Sequence, residues 1–132
     1  MTNPPLILAS SSPRRLALLR QAGLEPRLET PDIDEALLPR EQPRAHALRL
    51  AHAKSAAVVA RLGPEPAFVL AADTVVACGR RILPKPMEAA EAERCLRLLS
   101  GRRHRVYTGG VVTAPAGSAA RVVMTTVELK RL

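Results

Sequence analysis

Aromatic side chains are almost missing from this chain of 132 residues, which contains one Phe, one Tyr and no Trp. Proteins that bind single-stranded nucleic acid commonly stack the bases on aromatic rings, so this class of binding is not expected here. Hydrophobic residues nevertheless make up 47% of the sequence. The core must therefore be built from Leu, Val, Ile and Ala, and the length is typical of one compact domain, residues 1–132.

Cysteines and long apolar runs are equally scarce. Cys78 and Cys95 are the only cysteines, they form no CxxC pair, and no His lies at zinc-site spacing from them. The sequence therefore predicts neither a disulfide framework nor a zinc site. The first residues lack a basic segment followed by an apolar stretch, and no apolar run approaches membrane-spanning length. We therefore expect a cytoplasmic protein that does not bind membranes.

The formal net charge is +8, which favours an anionic partner such as a nucleic acid, a membrane surface or a small phosphate ligand. Nucleic-acid binding ranks last of the hypotheses, because the sequence has no helix-turn-helix pattern and its basic residues are spread over many segments. The sequence motifs favour a small phosphate ligand.

Apolar periodicity and chain breakers predict the order β-α-β-α-β(β)-α-β-β, hence an α/β fold with a mixed twisted sheet flanked by helices. The predicted strands are residues 6–9, 24–30, 68–78 (one central strand or a pair of strands), 81–83, 105–113 and 121–129. The predicted helices are residues 13–22, 43–62 and 88–99. Helical spacing predicts three inward faces. They are Leu16, Leu19 and Ala22 in the first helix, Leu48, Ala51, Ser55, Val58, Val59 and Leu62 in the second, and Ala89, Ala92, Leu96 and Leu99 in the third.

The segment Ser10–Arg15 lies between the first strand and the first helix, with Ser12 as the predicted N-cap and Pro13 in the first turn. A helix N-terminus carries unpaired N–H groups and partial positive charge, which makes it an anion site. Arg14 and Arg15 oppose that dipole, so their placement makes sense if they grip a phosphate. A solvated basic turn is the alternative, and local chemistry leaves the two about equal.

Two sets of carboxylates are candidates for catalysis or metal binding. Asp73 and Thr74 interrupt an apolar strand, where a carboxylate is costly unless it is paired, bound to a metal or facing a cleft. Asp73 is therefore a candidate base or metal ligand, although an Asp that caps a turn is the alternative. Asp32, Asp34 and Glu35 form an acidic loop that could hold Mg²⁺, although acidic loops are usually just solvated.

Two lysines are candidate phosphate contacts. Lys54 lies at the margin of the predicted inward face of the second helix, where a snorkelling lysine is the alternative. Lys85 lies between two prolines, which make the backbone stiff, although this segment also suits a plain connector. No ligand role is predicted for His46, His52 or His104.

Seven short segments follow one another over almost the whole chain and resemble the Maf family of nucleotide pyrophosphatases. They are residues 6–15 (LILASSSPRR), 32–35 (DIDE), 49–54 (RLAHAK), 72–76 (ADTVV), 83–86 (LPKP), 99–104 (LSGRRH) and 127–132 (VELKRL). The resemblance implies a fold related to inosine triphosphate pyrophosphatases, with a cleft between two lobes. It also implies that water attacks the α-phosphorus of a nucleoside triphosphate, assisted by a divalent metal, Mg²⁺ or Mn²⁺.

By motif position, the resemblance assigns Asp73 as the proton acceptor, and Glu35 together with Asp73 as metal ligands. The phosphates would be held by Ser10, Arg14, Arg15, Lys54 and Lys85. Arg14 and Thr74 match the branch that resembles dTTP/UTP pyrophosphatases, whereas the 7-methyl-GTP branch tends to have Trp and Gln at these positions. Substrate selectivity is therefore assigned to Arg14 and Thr74.

This sequence departs from the family pattern in two ways. Pro84 stands where many members have Gly, a change in stiffness that the loop should tolerate. Members of the family also run well past Leu132, so we expect the second lobe to be incomplete within these residues. Without a closing helix over the sheet we expect a homodimer or poor solubility. A catalytically weak nucleotide-binding or regulatory fragment is the alternative function.

Overall fold

The computed structural model describes residues 4–83 and 89–131. Its elements follow the predicted order, which confirms the α/β class. They are β1 (Leu6–Ala9), α1 (Pro13–Gln21), β2 (Arg27–Glu29), α2 (Pro43–Leu62), β3 (Phe68–Cys78), β4 (Arg81–Leu83), α3 (Ala89–Leu99), β5 (Arg103–Ala114) and β6 (Gly117–Glu128). The observed β2 is shorter than predicted, while β5 and β6 begin earlier.

The sheet has six strands, five of them in the order β2-β1-β3-β5-β6, with β4 paired to β3. Strand β1 runs parallel to β2 and β3, whereas β3, β5 and β6 pair antiparallel. Strands β3 and β4 form an antiparallel hairpin, in which Val76 of β3 lies opposite Leu83 of β4. The sheet is therefore mixed, as the alternation of helices and strands in the sequence predicts.

Strand β3 has a gap along one of its two edges. On that edge β1 ends at Ala9, which lies opposite Ala71. The pairing of β3 with β4 starts only at Val76, which lies opposite Leu83. Among residues 4–83 and 89–131, the intervening residues 72–75 pair only with β5, on the other edge. Because β1 ends here, its carboxyl end and the loop that follows it open directly onto the middle of β3, which creates space for a ligand.

The core lies between α2 and the sheet. Alternate residues of β3 are buried, and Val69 and Ala71 pack with Ile7 of β1 and Val58 of α2 in one apolar cluster. Helix α2 also lies very close to β5, since a Cβ added at Gly109 would be only 2.7 Å from the carbonyl oxygen of Ala47. Gly109 is the register partner of Asp73. A glycine is therefore needed where the helix crosses the strand beside that carboxylate.

The predicted inward faces of the helices are only partly correct. Helix α1 begins with Ser12 as N-cap and Pro13, as predicted, but none of its residues is buried, and Leu16 and Leu19 are half-buried while Ala22 is exposed. In α3 only Leu99 is buried, and Leu96 is 50% exposed. Within the described residues these helices have little packed against them, so their apolar spacing does not produce burial.

The buried face of α2 is rotated slightly from the prediction. It consists of His46, Ala47, Leu50, Ala51, Lys54, Ser55 and Val58, whereas Leu48 is half-buried and Val59 is exposed. Lys54 thus lies within the buried face, not at its margin. The packing of α2 on the sheet sets this rotation, because Lys54 faces a carboxylate that the sheet carries.

Among residues 4–83 and 89–131, no helix is both long enough and apolar enough to cross a bilayer. Cys78 and Cys95 are both free thiols and half-buried.

Candidate active site

The loop between β1 and α1 forms a cavity of about 560 Å³. Ser12 caps α1 by accepting a hydrogen bond from the Arg15 N–H at 3.4 Å, and the Ser12 N–H donates to the buried Ser10 hydroxyl at 2.9 Å. The Ser10 side chain therefore holds the loop itself in shape. The cavity is lined by Ser10, Ser11, Ser12, Pro13, Arg14, Arg15, Pro31, Asp32, Ile33, Glu35 and Lys54. Three cations and a helix N-terminus thus face one space, an arrangement suited to a polyphosphate.

A buried ion pair lies beside this cavity. The Nζ of Lys54 donates to Oδ1 of Asp73 at 2.8 Å, and also lies 3.6 Å from Oε1 of Glu35. The Asp73 side chain is only 4% exposed, and that of Lys54 is 10% exposed. A carboxylate buried in a strand is tolerable because it is paired in this way. Asp73 occupies the middle of β3. It therefore does not cap a turn, which was the alternative role considered for this residue.

Thr74, the next residue on β3, links α1 to the sheet. Its Oγ1 accepts a hydrogen bond from the Nη2 of Arg15 at 3.0 Å and lies 3.2 Å from the Oγ1 of Thr108 on β5. Thr108 is also the register partner of Thr74. The guanidinium of Arg15 is therefore positioned by a side chain of the strand that carries Asp73.

A second cavity, of about 400 Å³, borders the Asp73 side chain of the ion pair and is mainly apolar. Its lining consists of Glu35, Leu37, His46, Leu50, Asp73, Thr74, Val75, Ile82 and Leu83. Glu35 lines both cavities, while Lys54 lines the first and Asp73 the second. The ion pair and Glu35 therefore form the junction between a basic cavity and an apolar one.

The remaining predicted residues are placed as follows. Arg14 lines the basic cavity, as does Asp32. Asp34 has a local role, because its Oδ1 accepts the Ala36 N–H at 2.9 Å. Lys85 lies outside the described residues, as does the Pro84–Pro86 segment that contains it.

A family model described as Maf-like protein matches residues 5–132 of this sequence. The chain belongs to the Maf family.

Relatives within this family carry a specific name. A protein of Caulobacter vibrioides named dTTP/UTP pyrophosphatase is 57% identical over 131 residues, which are 98% of this chain and 67% of that protein. A protein of Chelativorans sp. with the same name is 57% identical to this chain. The matched region is 96% of this chain and 64% of that protein. The Maf-family chain described here thus spans about two thirds of the length of these relatives.

Solved structures support the fold. The Staphylococcus aureus Ham1 protein superposes with a TM-score of 0.59 at 16% identity, covering 93% of this chain and 69% of that one. A HAM1 protein from Coxiella burnetii gives a TM-score of 0.56 at 17% identity, covering 94% and 71%. This Maf-family chain therefore shares the mixed α/β fold of Ham1 proteins, in line with the predicted fold class.

The fit of a divalent metal depends on the carboxylates at the junction. No group of three or more His, Cys, Asp or Glu within the described parts of the chain is arranged to hold a metal ion. Glu35 and Asp73 nevertheless both approach the ammonium group of Lys54. Mg²⁺ commonly takes one or two carboxylates together with phosphate oxygens. The oxygen donors therefore fit a divalent metal that is shared with a phosphate ligand.

One buried network was missed in the sequence. Glu41 Oε1 lies 2.6 Å from Nδ1 of His46, and Arg49 donates to both oxygens of Glu41 and to the carbonyl of Ala36 at 2.8 Å. Hydrogen bonding by Arg49 lowers the pKa of Glu41 to about 2, with His46 and the Leu38 N–H acting in the same direction against burial. His46 and Arg49 are three residues apart on α2, so their side chains lie on the same face of the helix. This spacing was the signal from which a shared contact could have been predicted.

Proposed function

We propose that this chain is a nucleoside triphosphate pyrophosphatase that hydrolyses dTTP or UTP to the monophosphate and pyrophosphate. The proposal is supported by the name of the relatives at 57% identity and by the motif positions of Asp73, Arg14 and Thr74. The observation that carries it is the Lys54–Asp73 pair, 2.8 Å apart, at the junction of the basic and apolar cavities. A triphosphate in the first cavity and a nucleoside in the second would bring the α-phosphate to that junction.

In the proposed mechanism, the Asp73 carboxylate accepts a proton from a water molecule as its oxygen attacks the α-phosphorus. The bond from the α-phosphorus to the bridging oxygen breaks, and pyrophosphate leaves with the electron pair. Arg14, Arg15 and Lys54 balance the negative charge of the phosphates, and we assign the same role to Lys85.

The ammonium group of Lys54 also positions the Asp73 carboxylate, because it donates a hydrogen bond to Oδ1 of Asp73. Mg²⁺ or Mn²⁺, held by Glu35 and Asp73, would supply further charge neutralisation on the phosphate oxygens. Removal of divalent metal with a chelator is therefore expected to abolish pyrophosphate release, and Mg²⁺ to restore it. Full activity in the presence of excess chelator would contradict the metal assignment.

The test is an assay of pyrophosphate release from dTTP and UTP with Mg²⁺, for the wild type and for Asp73→Asn. Loss of a general base should lower kcat by about 10²-fold or more. Glu93→Gln is the matched control, because Glu93 lies on α3 and is itself exposed, paired with the exposed Arg97. A wild type that releases no pyrophosphate, or an Asp73→Asn variant with full activity, would overturn the proposal.

Binding without turnover is the second candidate, because the three cations that line the basic cavity would hold a polyphosphate whether or not it is hydrolysed. It predicts that dTTP or UTP raises the melting temperature of the protein while no pyrophosphate appears. The same assay, run beside a thermal melt, separates the two functions.

A further inference from the structure

Among the described residues that line the apolar cavity, one polar side chain is not used by the proposed hydrolysis, and its assignment rests on the proposed function. Of its polar lining residues, Glu35, Asp73 and Thr74 belong to the junction with the basic cavity. Of the polar lining residues within the described part of the chain, His46 is the one left over, and apolar residues such as Leu50 and Val75 line the same cavity. A pocket of this kind, apolar with a few fixed polar groups, is typical of small-molecule recognition.

The hydrogen bonds of His46 define which ring nitrogen is the donor. Its Nδ1 lies 2.6 Å from Glu41 Oε1, and the pKa of Glu41 is about 2, so that oxygen is an anionic acceptor at neutral pH. The Nδ1 atom must therefore carry the hydrogen. The Nη2 of Arg49 is more distant from Nδ1, at 3.3 Å, and donates to Glu41 and Ala36 at shorter distances.

In the tautomer that carries its hydrogen on Nδ1, the other ring nitrogen, Nε2, is a hydrogen-bond acceptor. No hydrogen bond of Nε2 occurs among the residues that the structure describes. The ring is also held firmly, because the side chains of His46 and Glu41 are only 7% and 6% exposed. A fixed, unused acceptor at an apolar cavity selects for a ligand that presents a donor at the matching position.

We propose that His46 is a specificity residue whose Nε2 accepts a hydrogen bond from the N3–H group of a uracil or thymine base in this cavity. Uracil and thymine carry a hydrogen on N3, whereas cytosine has a bare acceptor nitrogen there. A cytosine base would place two acceptors against each other. His46 therefore discriminates between pyrimidines, while Arg15 and Lys54 in the other cavity hold phosphates that all nucleotides share.

The test measures kcat/KM for UTP and CTP with the wild type, His46→Leu and His46→Gln. Removal of the acceptor in His46→Leu should lower the UTP/CTP ratio by about threefold to tenfold, the range for one neutral hydrogen bond. His46→Gln offers an amide oxygen near the position of Nε2 and should keep a preference for UTP. Inhibition by inorganic tripolyphosphate should be unchanged in both variants, because it occupies the basic cavity alone.

A wild type without preference for UTP over CTP, or equal losses on both nucleotides in His46→Leu, would overturn the inference. A changed inhibition constant for tripolyphosphate in both variants would assign His46 a purely structural role and would overturn it too. If the wild type releases no pyrophosphate, the proposed function fails. Calorimetric dissociation constants of UTP and CTP for the same proteins then decide the inference by the same ratio.

Discussion

Lys54 lies between two carboxylates, and this single side chain connects the stability of the chain with its chemistry. Asp73 is almost completely buried, and its partner at 2.8 Å is the ammonium group of Lys54. A buried ion pair adds little stability compared with apolar residues, but removal of one partner leaves an uncompensated charge. The pair is therefore explained by its place between the two cavities, and not by the stability it adds.

Lys54→Met is expected to destabilise the protein by about 3–5 kcal/mol, because Asp73 then stays buried without its cation. Urea denaturation gives the free energy of unfolding. The double variant Lys54→Met/Asp73→Asn should recover part of this loss, since no charge is left unpaired. Additive losses in the double variant would show that the two side chains do not interact.

Glu41 gives the protein a specific sensitivity to acid. Its pKa is lowered from 4.5 to about 2 in the folded state, so the unfolded state binds the proton more readily. The stability from Glu41 is therefore fully present above pH 4.5 and is lost as the pH falls toward 2.

Glu41→Gln should lower the free energy of unfolding at pH 7 by about 1–3 kcal/mol, the range for a lost charged hydrogen bond. Between pH 4.5 and 2 its stability should fall less steeply than that of the wild type. Glu65→Gln, at an exposed position in the loop after α2, is the control. Parallel pH profiles for the wild type and Glu41→Gln would contradict this account.

At the scale of elements, the contact between α2 and β5 positions the site. Gly109 lies opposite Asp73 in the sheet and directly beneath Ala47, two turns of α2 before Lys54. Any side chain at Gly109 would meet the backbone of α2, which cannot rotate away as a side chain does. The helix would have to move away from the strand that bears Asp73.

Gly109→Ala is therefore expected to destabilise the fold by about 1–3 kcal/mol through overpacking. Gly110→Ala is the matched control, because a Cβ at Gly110 meets nothing within 4 Å. This control should be neutral or slightly stabilising, since Gly in a strand costs backbone entropy. Thermal melts of the two variants measure the difference, and equal melting temperatures would argue against the close approach.

At the scale of the whole molecule, β6 is a long strand at one edge of the sheet. Its residues are mostly exposed, and Val123 and Met124 are 54% and 39% exposed. An exposed edge strand with apolar side chains favours pairing with a second copy. The homodimer expected from the sequence stays a prediction, and this edge is the surface on which we place it.

Val123→Lys is accordingly expected to shift the protein toward the monomer in size-exclusion chromatography, because a charged edge resists strand pairing. Val59→Lys, with Val59 on α2 at 38% exposure, introduces the same charge away from this edge and should leave the elution unchanged. Elution of the wild type as a monomer at every concentration would contradict the predicted dimer.

The sequence by itself determined the elements and their order, because these depend on local chemistry. Ser12 and Pro13 start α1, and Pro43 and Gly63 bound α2. For residues 68–78 the sequence predicted β structure but left one strand or a pair open, and the structure shows one strand. It also indicated the candidate residues, since a carboxylate in an apolar strand and arginines at a helix N-terminus are conspicuous without coordinates.

Only the tertiary structure decided which of these side chains meet. Lys54 was expected at the margin of a helix face, yet the rotation of α2 over β3 places it against Asp73. The gap between β1 and β4, and the network around Glu41 and His46, depend on register and packing between distant segments. Burial also depended on packing between distant segments, because the apolar spacing of α1 and α3 specifies an apolar face but not what covers it.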